Sequence, residues 1–469
     1  MSLLERERTA ADTIDVLDPA TGRRIGTIPA GSPAAADAAV RAARAAQPAW
    51  ARTAPGERAA VLKAAARRLR EHADELAELQ THEGGKPLGD SRGGVDAGIG
   101  AIEQYAELGP LHRGAALQGA WDATDLMVHE PRGVVALLVP WNDPLAIACG
   151  QIAAALVTGN AVVFKPSEKT PLSAARLVEL LDIPGGALQL LHGDARAGRP
   201  LAAHPDVDLV MHTGSVQTGR EIAEACARRL GKSLLELGGK DPLIVDAGVD
   251  PEWAAEQAAV GAFANAGQIC TAVERIYVHE AVAEPFLAAL ERRARELRVG
   301  AGTDPATEMG PLVDEGQRAL VHRHVRAAVE SGAVLRAGGE VPEGPGWFYP
   351  PTVLVGAGRD APVLTEETFG PVAAVRVVGS FAQAIEEANG SDYGLAATVL
   401  TASQANAQRA WRELRVGTVK VNAVFGGAPG GAAEPGRGSG LGFGYGPELL
   451  DEMTHTKVVH IEPAPGAAD

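Results

Sequence analysis

The residues around Cys270 are of the types that a nucleophilic thiol requires. Residues 263 to 275, Phe-Ala-Asn-Ala-Gly-Gln-Ile-Cys-Thr-Ala-Val-Glu-Arg, set this one cysteine among small side chains. A thiolate attacks a carbonyl carbon and a thiol does not, so such a cysteine needs an open approach and nearby groups that favour its anion. Gly267 and its small neighbours keep the approach open. A lone cysteine without such context is usually a packing residue, so the other motifs of the chain must decide.

Two motifs upstream of Cys270 offer a base and a hydrogen-bond donor. Glu236 lies 34 positions before Cys270, inside an apolar run that ends at Gly238-Gly239. Burial raises the pKa of a carboxyl group and makes it a usable general base. Asn142 lies in Pro-Trp-Asn-Asp-Pro, directly after an apolar run, and its amide donates without titrating. The structural alternatives are a strand-end glutamate bonded to the backbone and an asparagine that caps a turn.

A fourth motif, Glu-Glu-Thr-Phe-Gly-Pro-Val at residues 366 to 372, places Glu367 97 positions after Cys270. The four motifs, in this order and at these spacings, resemble those of the aldehyde dehydrogenase superfamily. The resemblance runs along nearly the whole chain. It implies an NAD(P)-dependent, non-acylating enzyme that oxidises an aldehyde to the carboxylic acid.

That reaction needs a nucleophile, a stabilised oxyanion and an activated water. Cys270 would attack the aldehyde and form a thiohemiacetal, and Asn142 with the backbone N–H of Cys270 would stabilise the oxyanion. Once hydride has left, a thioester remains, and Glu236 would act as the general base for its hydrolysis. The predicted catalytic residues are therefore Cys270, Glu236 and Asn142.

The cofactor residues come from the resemblance, because no Gly-x-Gly-x-x-Gly follows any of the predicted strands. It implies that Lys165 and Glu168 face the adenosine ribose and that Ser215, at a helix N-terminus, faces the pyrophosphate. Glu367 would bind the nicotinamide ribose, and Phe369 would place the ring. Further predicted cofactor contacts are Trp141, Ser167 and Gly238. NAD is favoured because Glu168 would repel a 2′-phosphate, and NADP stays as the alternative.

The predicted substrate contacts are Asp143, Gly150 and Phe425, and two of them depart from the family pattern. Asp143 stands where many members have an aromatic residue, and Gly150 replaces a bulky residue that commonly narrows the substrate tunnel. The usual Pro-Phe-Gly-Gly appears as Ala-Pro-Gly-Gly at residues 428 to 431. These changes predict a wider or more polar tunnel, and they leave polar, amino-bearing and ring-bearing aldehydes open. The Gly-rich segment 426 to 446 is either a flexible surface loop or a functional one.

The charge and composition of the 469 residues exclude several classes of partner. A formal net charge of −16 argues against nucleic acids and anionic membranes. No apolar run approaches twenty residues, and the charged residues 1 to 8 lack the apolar core of a signal peptide, so we expect a cytoplasmic protein. Three scattered cysteines form no disulfide framework. His322 and His324 lack the spacing of two ligands on one helix face; we interpret them as solvated and predict no metal.

The fold class follows from short apolar runs that alternate with helical patterns between residues 133 and 245. Such runs are typical of a doubly wound parallel sheet, in which ligands bind beyond the carboxyl ends of the strands. Before this region we predict a helix from Ser32-Pro33 to Trp50 and another from Pro55 to Gly84. After Asp246 the pattern repeats, which predicts a second α/β domain that carries Cys270.

The predicted domains are an NAD-binding domain at 1–112 and 132–238, a catalytic domain at 239–440 and a small β flap at 113–131 and 452–463. The flap is implied by the resemblance, in which it serves oligomerisation. Residues 457 to 461 alternate and predict a late edge strand, which would seek a partner strand. A homodimer or homotetramer is expected.

Three alternative functions remain at this stage. A CoA-acylating relative would pass the acyl group from Cys270 to a thiol, and such enzymes commonly lack a base equivalent to Glu236. A catalytically silent scaffold would have no need of Lys165 and Glu367 beside the catalytic residues. A cysteine hydrolase would not need the cofactor-type residues.

Overall fold

The computed structural model describes residues 13 to 427 and 430 to 464. The strands are β1 Thr13–Leu17, β2 Arg24–Pro29, β3 Ala115–Leu117, β4 Thr124–Pro131, β5 Val134–Leu138, β6 Ala161–Lys165, β7 Leu188–Leu190, β8 Leu209–Thr213, β9 Lys232–Glu236, β10 Asp241–Val245, β11 Val273–His279, β12 Val334–Ala337, β13 Thr352–Val355, β14 Val372–Val378, β15 Tyr393–Gly394, β16 Ala396–Leu400, β17 Thr418–Val421, β18 Gly436–Arg437, β19 Gly440–Leu441 and β20 Thr454–Ile461. The helices are α1 Pro33–Arg52, α2 Pro55–Glu71, α3 Ala73–Gly84, α4 Leu88–Leu108, α5 Pro144–Val157, α6 Pro171–Leu181, α7 Ala195–Ala203, α8 Val216–Arg228, α9 Pro251–Phe263, α10 Ala283–Glu296, α11 Glu315–Glu330, α12 Pro362–Thr365, α13 Phe381–Asn389, α14 Gln404–Glu413 and α15 Glu448–Glu452. Residues 1 to 8 and the Ala428-Pro429 pair, which the sequence singles out, lie outside the described residues.

The first sheet is doubly wound, as the sequence predicts. Its strand order is β19-β9-β8-β5-β6-β7, with β5 to β9 parallel and β19 antiparallel to β9. Helices α2 to α6 pack on one face, and α1, α7 and α8 pack on the other. Every residue of β5 and β6 is buried, because both faces are covered. Because these strands are parallel, the carboxyl ends of β5, β6, β8 and β9 all lie on the same side of the sheet.

The second sheet has the order β12-β13-β14-β11-β10-β16-β17, and only β12 is antiparallel to its neighbour. Helices α9, α10 and α11 cover one face, and α13 and α14 cover the other. The apolar run at 243 to 245, which resembles the runs of the first sheet, lies here as β10 between β11 and β16. The sequence interpretation groups this run with those of the first sheet, although the predicted catalytic domain, 239–440, already includes it. The structure places it in the second sheet, because its neighbouring strands come from later in the chain. The α/β class with two parallel sheets is confirmed.

A third, small sheet contains the strand predicted near the C-terminus. Its order is β20-β4-β3, all antiparallel, and β20 pairs with β4 from Thr454 opposite Pro131 to Ile461 opposite Thr124. The strand begins three residues before the predicted start at Lys457. β20 is an edge strand with mostly exposed side chains.

The helical predictions hold with one exception. α1 begins where Ser32 accepts a hydrogen bond from the Ala35 N–H, and α13 begins at the matching Ser380 cap. The helix predicted from 55 to 84 is instead two helices, because the chain leaves helical geometry at His72 (φ −113°, ψ 17°). Neither Gly nor Pro marks this break, so the local sequence does not signal it.

Two further properties concern the whole described chain. All three cysteines, Cys149, Cys226 and Cys270, are free thiols. Across residues 13 to 427 and 430 to 464, each helix is too short or too polar to cross a lipid bilayer.

Candidate active site

A cavity of about 240 Å³ lies between the two parallel sheets and brings the predicted catalytic residues together. Cys270, Glu236 and Asn142 all line it. The predicted cofactor contacts in its wall are Trp141, Ser215, Gly238, Glu367 and Phe369. Four segments that are far apart in the chain therefore meet here. Asn142 follows β5 and Glu236 ends β9 in the first sheet, whereas Cys270 and Glu367 precede β11 and β14 in the second.

The loop before the nucleophile has an unusual backbone. Asn265, Ala266 and Gly267 have φ values of 49°, 54° and 70°, all in the left-handed region. A Cβ at Gly267 would lie 2.1 Å from the carbonyl oxygen of Gly370, so only glycine allows the two loops to touch. The Asn265 amide donates to the carbonyl oxygens of Asn142 (3.3 Å) and Gln268 (3.2 Å), which holds the turn. Strain held in this way is typical of functional loops.

The surroundings of Cys270 favour the neutral thiol. Burial raises its pKa to about 12, and the carboxylates of Asp241, Glu236 and Glu367 act in the same direction. The thiol would therefore react through a small thiolate fraction until other charges approach it.

The Asn142 side chain is oriented by a hydrogen-bond chain. Its Nδ2 donates to the Gln268 carbonyl oxygen at 3.1 Å. The Gln268 side chain in turn accepts from the Val313 N–H (2.9 Å) and donates to the Asn265 carbonyl oxygen (3.0 Å). An amide nitrogen carries two hydrogens, so the second N–H of Asn142 is left for an oxyanion.

Glu236 is held by the Gly-rich segment, which answers the open question about that segment. The Gly444 N–H donates to Glu236 Oε1 at 3.0 Å, and β19 pairs with the end of β9, Gly440 opposite Glu236. A Cβ at Gly444 would lie 2.2 Å from the same oxygen. Burial raises the pKa of Glu236 to about 7, and the Gly444 hydrogen bond lowers it in part. The described part of the segment thus holds the predicted base in place from outside the cavity.

The loop that carries Glu367 rests on a buried ion pair. Glu274 on β11 accepts from the N–H groups of Thr368 (2.8 Å) and Phe369 (2.9 Å), and it pairs with Lys240. Glu367 accepts from the Gly239 N–H at 3.1 Å. Burial raises the pKa of Glu367 to about 8, and Glu274 adds to the rise. The two carboxylates therefore have different tasks: Glu274 holds the loop and Glu367 faces the cavity.

The sequence interpretation missed Lys240 and Glu274, although a signal was present. These two residues are 34 positions apart, as are Glu236 and Cys270. Parallel pairing of β10 with β11 brings both pairs together, since Asp241 lies opposite Val273. Opposite charges at that spacing inside apolar strands indicate a buried pair.

A second cavity, of about 670 Å³, fits the dinucleotide. Lys165, Ser167, Glu168 and Ser215 all line it, and it shares Trp141 with the cavity of Cys270. Ser215 caps the 13-residue helix α8, whose first N–H groups are ready for an anion.

The ends of this cavity are also suited to the cofactor. Lys165 is buried and donates to the carbonyl oxygens of Pro166 (2.7 Å) and Gly193 (2.6 Å), which leaves one N–H for a ribose hydroxyl. Trp141 and Phe369 meet edge to face, with ring centroids 5.4 Å apart. The residues present thus fit a nicotinamide dinucleotide.

The three predicted substrate contacts are not among the residues that line the cavity of Cys270. Asp143 instead pairs with Lys86 at 3.0 Å. A Cβ at Gly150 would lie 3.6 Å from the Ala101 Cβ, so Gly150 faces α4. The Phe425 ring lies under the Lys420 ammonium, 5.5 Å from ring centroid to Nζ. Their roles toward substrate stay predictions.

The histidine interpretation needs a correction. His324 is buried and not solvated, and its Nδ1 lies 3.1 Å from Thr368 Oγ1, because α11 packs beneath the Glu367 loop. Among the residues that the structure describes, the ligand atoms of His112, His129 and Asp451 are close enough together to hold a metal ion. Only His129 of this group lies in the small sheet, on its central strand β4, and the three residues come from segments that no local spacing connects.

Comparisons with known proteins agree with this geometry. The model of the aldehyde dehydrogenase family matches residues 6 to 459. The chain belongs to the aldehyde dehydrogenase family. It is 36% identical over 468 residues to a betaine aldehyde dehydrogenase of Bacillus subtilis strain 168, covering 97% of this chain and 95% of that protein.

Two solved dehydrogenase structures share the fold of this chain. A betaine aldehyde dehydrogenase of Staphylococcus aureus in complex with NAD+ has a TM-score of 0.94 and 33% identity, covering 98% of this chain and 93% of the other. A 3,6-anhydro-L-galactose dehydrogenase in complex with NAP has a TM-score of 0.94 and 34% identity, covering 97% of each chain. The reaction of this aldehyde dehydrogenase is the oxidation of an aldehyde to the carboxylic acid with NAD, and the silent-scaffold alternative is wrong.

Proposed function

We propose that this aldehyde dehydrogenase works through a covalent intermediate on Cys270 that Glu236 hydrolyses. The observation that carries the proposal is the single cavity that the Cys270 thiol, the Asn142 amide and the Glu236 carboxyl all line. The glycine contacts at Gly267 and Gly444 support it, because side chains there would displace the nucleophile loop or the base.

In the first half of the reaction a carbon–sulfur bond forms. Cys270 Sγ attacks the aldehyde carbon, and the carbonyl electrons move to oxygen. The free N–H of Asn142 and the backbone N–H of Cys270 donate to that oxygen. When bound, NAD supplies the acceptor for the hydride that leaves this carbon. A thioester on Cys270 then remains.

In the second half Glu236 accepts a proton from water. The water oxygen attacks the thioester carbon, the carbon–sulfur bond breaks, and its electron pair returns to Cys270 Sγ. A base with a pKa of about 7 is matched to this task near neutral pH. The product is the free carboxylic acid.

The dinucleotide would be held by residues of both cavities. Lys165 and Glu168 would hold the adenosine ribose, and the N-terminus of α8 at Ser215 would hold the pyrophosphate. Glu367 would hold the second ribose, with Phe369 beside the nicotinamide ring. Trp141, Ser167 and Gly238 would complete the lining.

The test is a panel of aldehydes followed by NADH absorbance, with NAD or NADP and with or without CoA. The panel contains aliphatic, aromatic, semialdehyde and amino aldehydes, and betaine aldehyde because that name belongs to two relatives. We expect NAD reduction with the free acid as product and no requirement for CoA. An acyl-CoA product would support the acylating alternative. Ester hydrolysis without NAD-dependent oxidation would contradict the proposal.

We also propose that the enzyme forms a homodimer or homotetramer through the flap of residues 113–131 and 452–463. The support is an exposed edge strand, β20, whose Val458 and Ile461 are both more than half exposed, together with the fully exposed Trp121 of the same flap. Sedimentation of Val458→Lys is expected to show smaller particles than wild type. Val334→Lys is the matched control, because Val334 on the edge strand β12 is also more than half exposed. A monomeric wild type, or equal dissociation of both variants, would contradict this.

The domain boundaries follow the sheets in this proposal. Residues 1–112 and 132–238 would form the NAD-binding domain, and 239–440 the catalytic domain. All strands from β5 to β9 lie in the first range, and β10 to β17 lie in the second. A cytoplasmic location is part of the same proposal, with three free thiols in its support.

A further inference from the structure

The loop of residues 366 to 370, here called the cofactor loop, rests on one face of α11. Gln317, Val321 and His324 are four and three positions apart, so they lie on the same side of this helix. The Gln317 side-chain N–H groups donate to two carbonyl oxygens of the loop, at 3.0 and 2.9 Å. A Cβ at Gly370 would lie 2.3 Å from Val321 Cγ2, so the helix packs directly against the loop backbone. The position of the loop therefore depends on α11.

The backbone of the cofactor loop needs such support. Phe369 has a φ of 51°, in the left-handed region that a bulky residue rarely adopts. A conformation of this kind persists only where the surrounding contacts hold it. The Glu274 carboxylate accepts from two N–H groups of the loop. The Thr368 hydroxyl is buried in the same turn, so it needs hydrogen-bond partners of its own.

The partners of the Thr368 hydroxyl define where the proton of His324 lies. Thr368 Oγ1 is 3.1 Å from Lys240 Nζ and 3.1 Å from His324 Nδ1, and within the part of the chain that the structure describes it has just these two partners. An ammonium group can only donate, so the hydroxyl hydrogen goes to His324 Nδ1. Nδ1 is therefore an acceptor, and the neutral ring carries its proton on Nε2, 3.6 Å from Glu366 Oε2.

A second proton on His324 would break this arrangement. It would occupy Nδ1, and the buried threonine hydroxyl would lose the acceptor for its hydrogen. The charged groups around the ring are Lys240 and Arg323, which oppose protonation, and Glu366 and Glu274, which favour it. Burial and then Lys240 hold the pKa of His324 below its usual 6.5. The ring is thus neutral at neutral pH and gains the second proton only in acid.

We propose that His324 is a positioning residue for the cofactor, whose neutral ring accepts the Thr368 hydroxyl hydrogen and so holds the cofactor loop in its NAD-binding conformation. His324 acts through the loop, since it is not among the residues that line either cavity. The inference rests on the proposed role of Glu367 toward the nicotinamide ribose. Protonation of His324 in acid releases the Thr368 side chain and weakens NAD binding.

The test is calorimetric titration of the free enzyme with NAD at pH 8 and pH 5, in wild type, His324→Asn and His324→Leu. The Asn Oδ1 takes the place of Nδ1 and accepts at both pH values, whereas Leu never accepts. At pH 8 we expect His324→Asn to bind NAD as wild type does and His324→Leu to bind about tenfold more weakly. At pH 5 His324→Asn should bind up to about tenfold more tightly than wild type. In turnover at pH 8, His324→Leu should raise KM for NAD and leave kcat at saturating NAD unchanged.

The matched control is His322→Asn. His322 lies on the same helix and also meets a hydroxyl, with Nδ1 3.2 Å from Tyr349 Oη, but it does not contact the cofactor loop. Its substitution should leave NAD affinity as in wild type at both pH values. The titrations of Glu236 and Glu367 affect wild type and His324→Asn alike, so the comparison between these two proteins isolates His324.

Two results would overturn the inference. One is equal weakening by His324→Asn and His324→Leu at pH 8, and the other is the same pH dependence of NAD affinity in wild type and His324→Asn. The second comparison decides even where His324→Leu does not fold. Glu367→Ala separates this inference from the proposed function. If Glu367→Ala weakens NAD binding and the His324 variants do not, only the inference fails; if Glu367→Ala binds NAD as wild type does, the cofactor assignment of the loop fails with it.

Discussion

Cys270→Ala is expected to lose aldehyde oxidation by about 10⁴-fold or more, while NAD binding is retained. Cys270 is the one cysteine in the wall of the cavity that also contains Asn142 and Glu236. Without Sγ no carbon–sulfur bond forms, so the remaining groups can bind an aldehyde but cannot form the covalent intermediate. The measurement is kcat/KM from NADH absorbance with the best aldehyde of the panel, together with NAD titration by calorimetry.

The matched controls are the other two cysteines. Cys149 and Cys226 are buried packing residues, so Cys149→Ala and Cys226→Ala should lose some stability and keep activity. Substantial turnover by Cys270→Ala would contradict the covalent mechanism.

Because burial and three carboxylates raise the pKa of Cys270 to about 12, its alkylation by iodoacetamide in the free enzyme should accelerate with pH up to at least pH 10.

Glu236→Gln is expected to separate the two halves of the reaction. The first turnover should still release NADH as a burst of about one equivalent per site, because Glu236 is needed only for the hydrolysis. The steady-state rate should then fall by about 10³-fold, the range for loss of a general base. In wild type the steady-state rate should rise with pH and reach half of its maximum near pH 7, where Glu236 loses its proton. Stopped-flow NADH absorbance measures both phases, and loss of the burst together with the steady state would contradict the assignment.

The same substitution should stabilise the fold above neutral pH. The pKa of Glu236 rises from 4.5 when unfolded to about 7 when folded, so the folded carboxylate is disfavoured. The free-energy cost of holding the charged Glu236 in the folded protein is absent below about pH 4.5 and grows as the pH rises. It is complete above pH 7, with an upper limit of about 3 kcal/mol. Glutamine removes the charge and keeps an oxygen for the Gly444 N–H. Thermal unfolding at pH 8 should therefore occur at a higher temperature in Glu236→Gln, and an unchanged or lower midpoint would argue against a desolvated base.

Much of the fold was predictable because its signals are local. The runs that became β5 and β6 are apolar throughout, which is the pattern of strands buried on both faces. Ser32 and Pro33 mark the start of α1, where the Ser32 side chain accepts a hydrogen bond from the Ala35 N–H. The break at His72 was not predictable, because no Gly or Pro near it signals the end of a helix.

The supporting residues of the site were harder to predict than the reacting ones. Gly444 holds Glu236 from 208 positions away, and the side chain of Asp143 turns to Lys86. His324 looks like a helix-surface residue in the sequence, yet α11 carries it beneath the Glu367 loop. Each of these contacts joins segments that are distant in the sequence and that meet only because whole helices and sheets pack against each other.

The chemistry of this enzyme was already present in the order of its residues. Residue type and spacing are enough to identify a thiol among small side chains, an amide after a buried strand and a carboxyl before a glycine pair. The reactivity of those groups cannot be derived from residue type and spacing. The pKa values of Glu236 and Cys270 depend on how much water the surrounding segments exclude and on carboxylates that distant segments bring to Cys270. Desolvation and long-range contact exist only once the chain has folded.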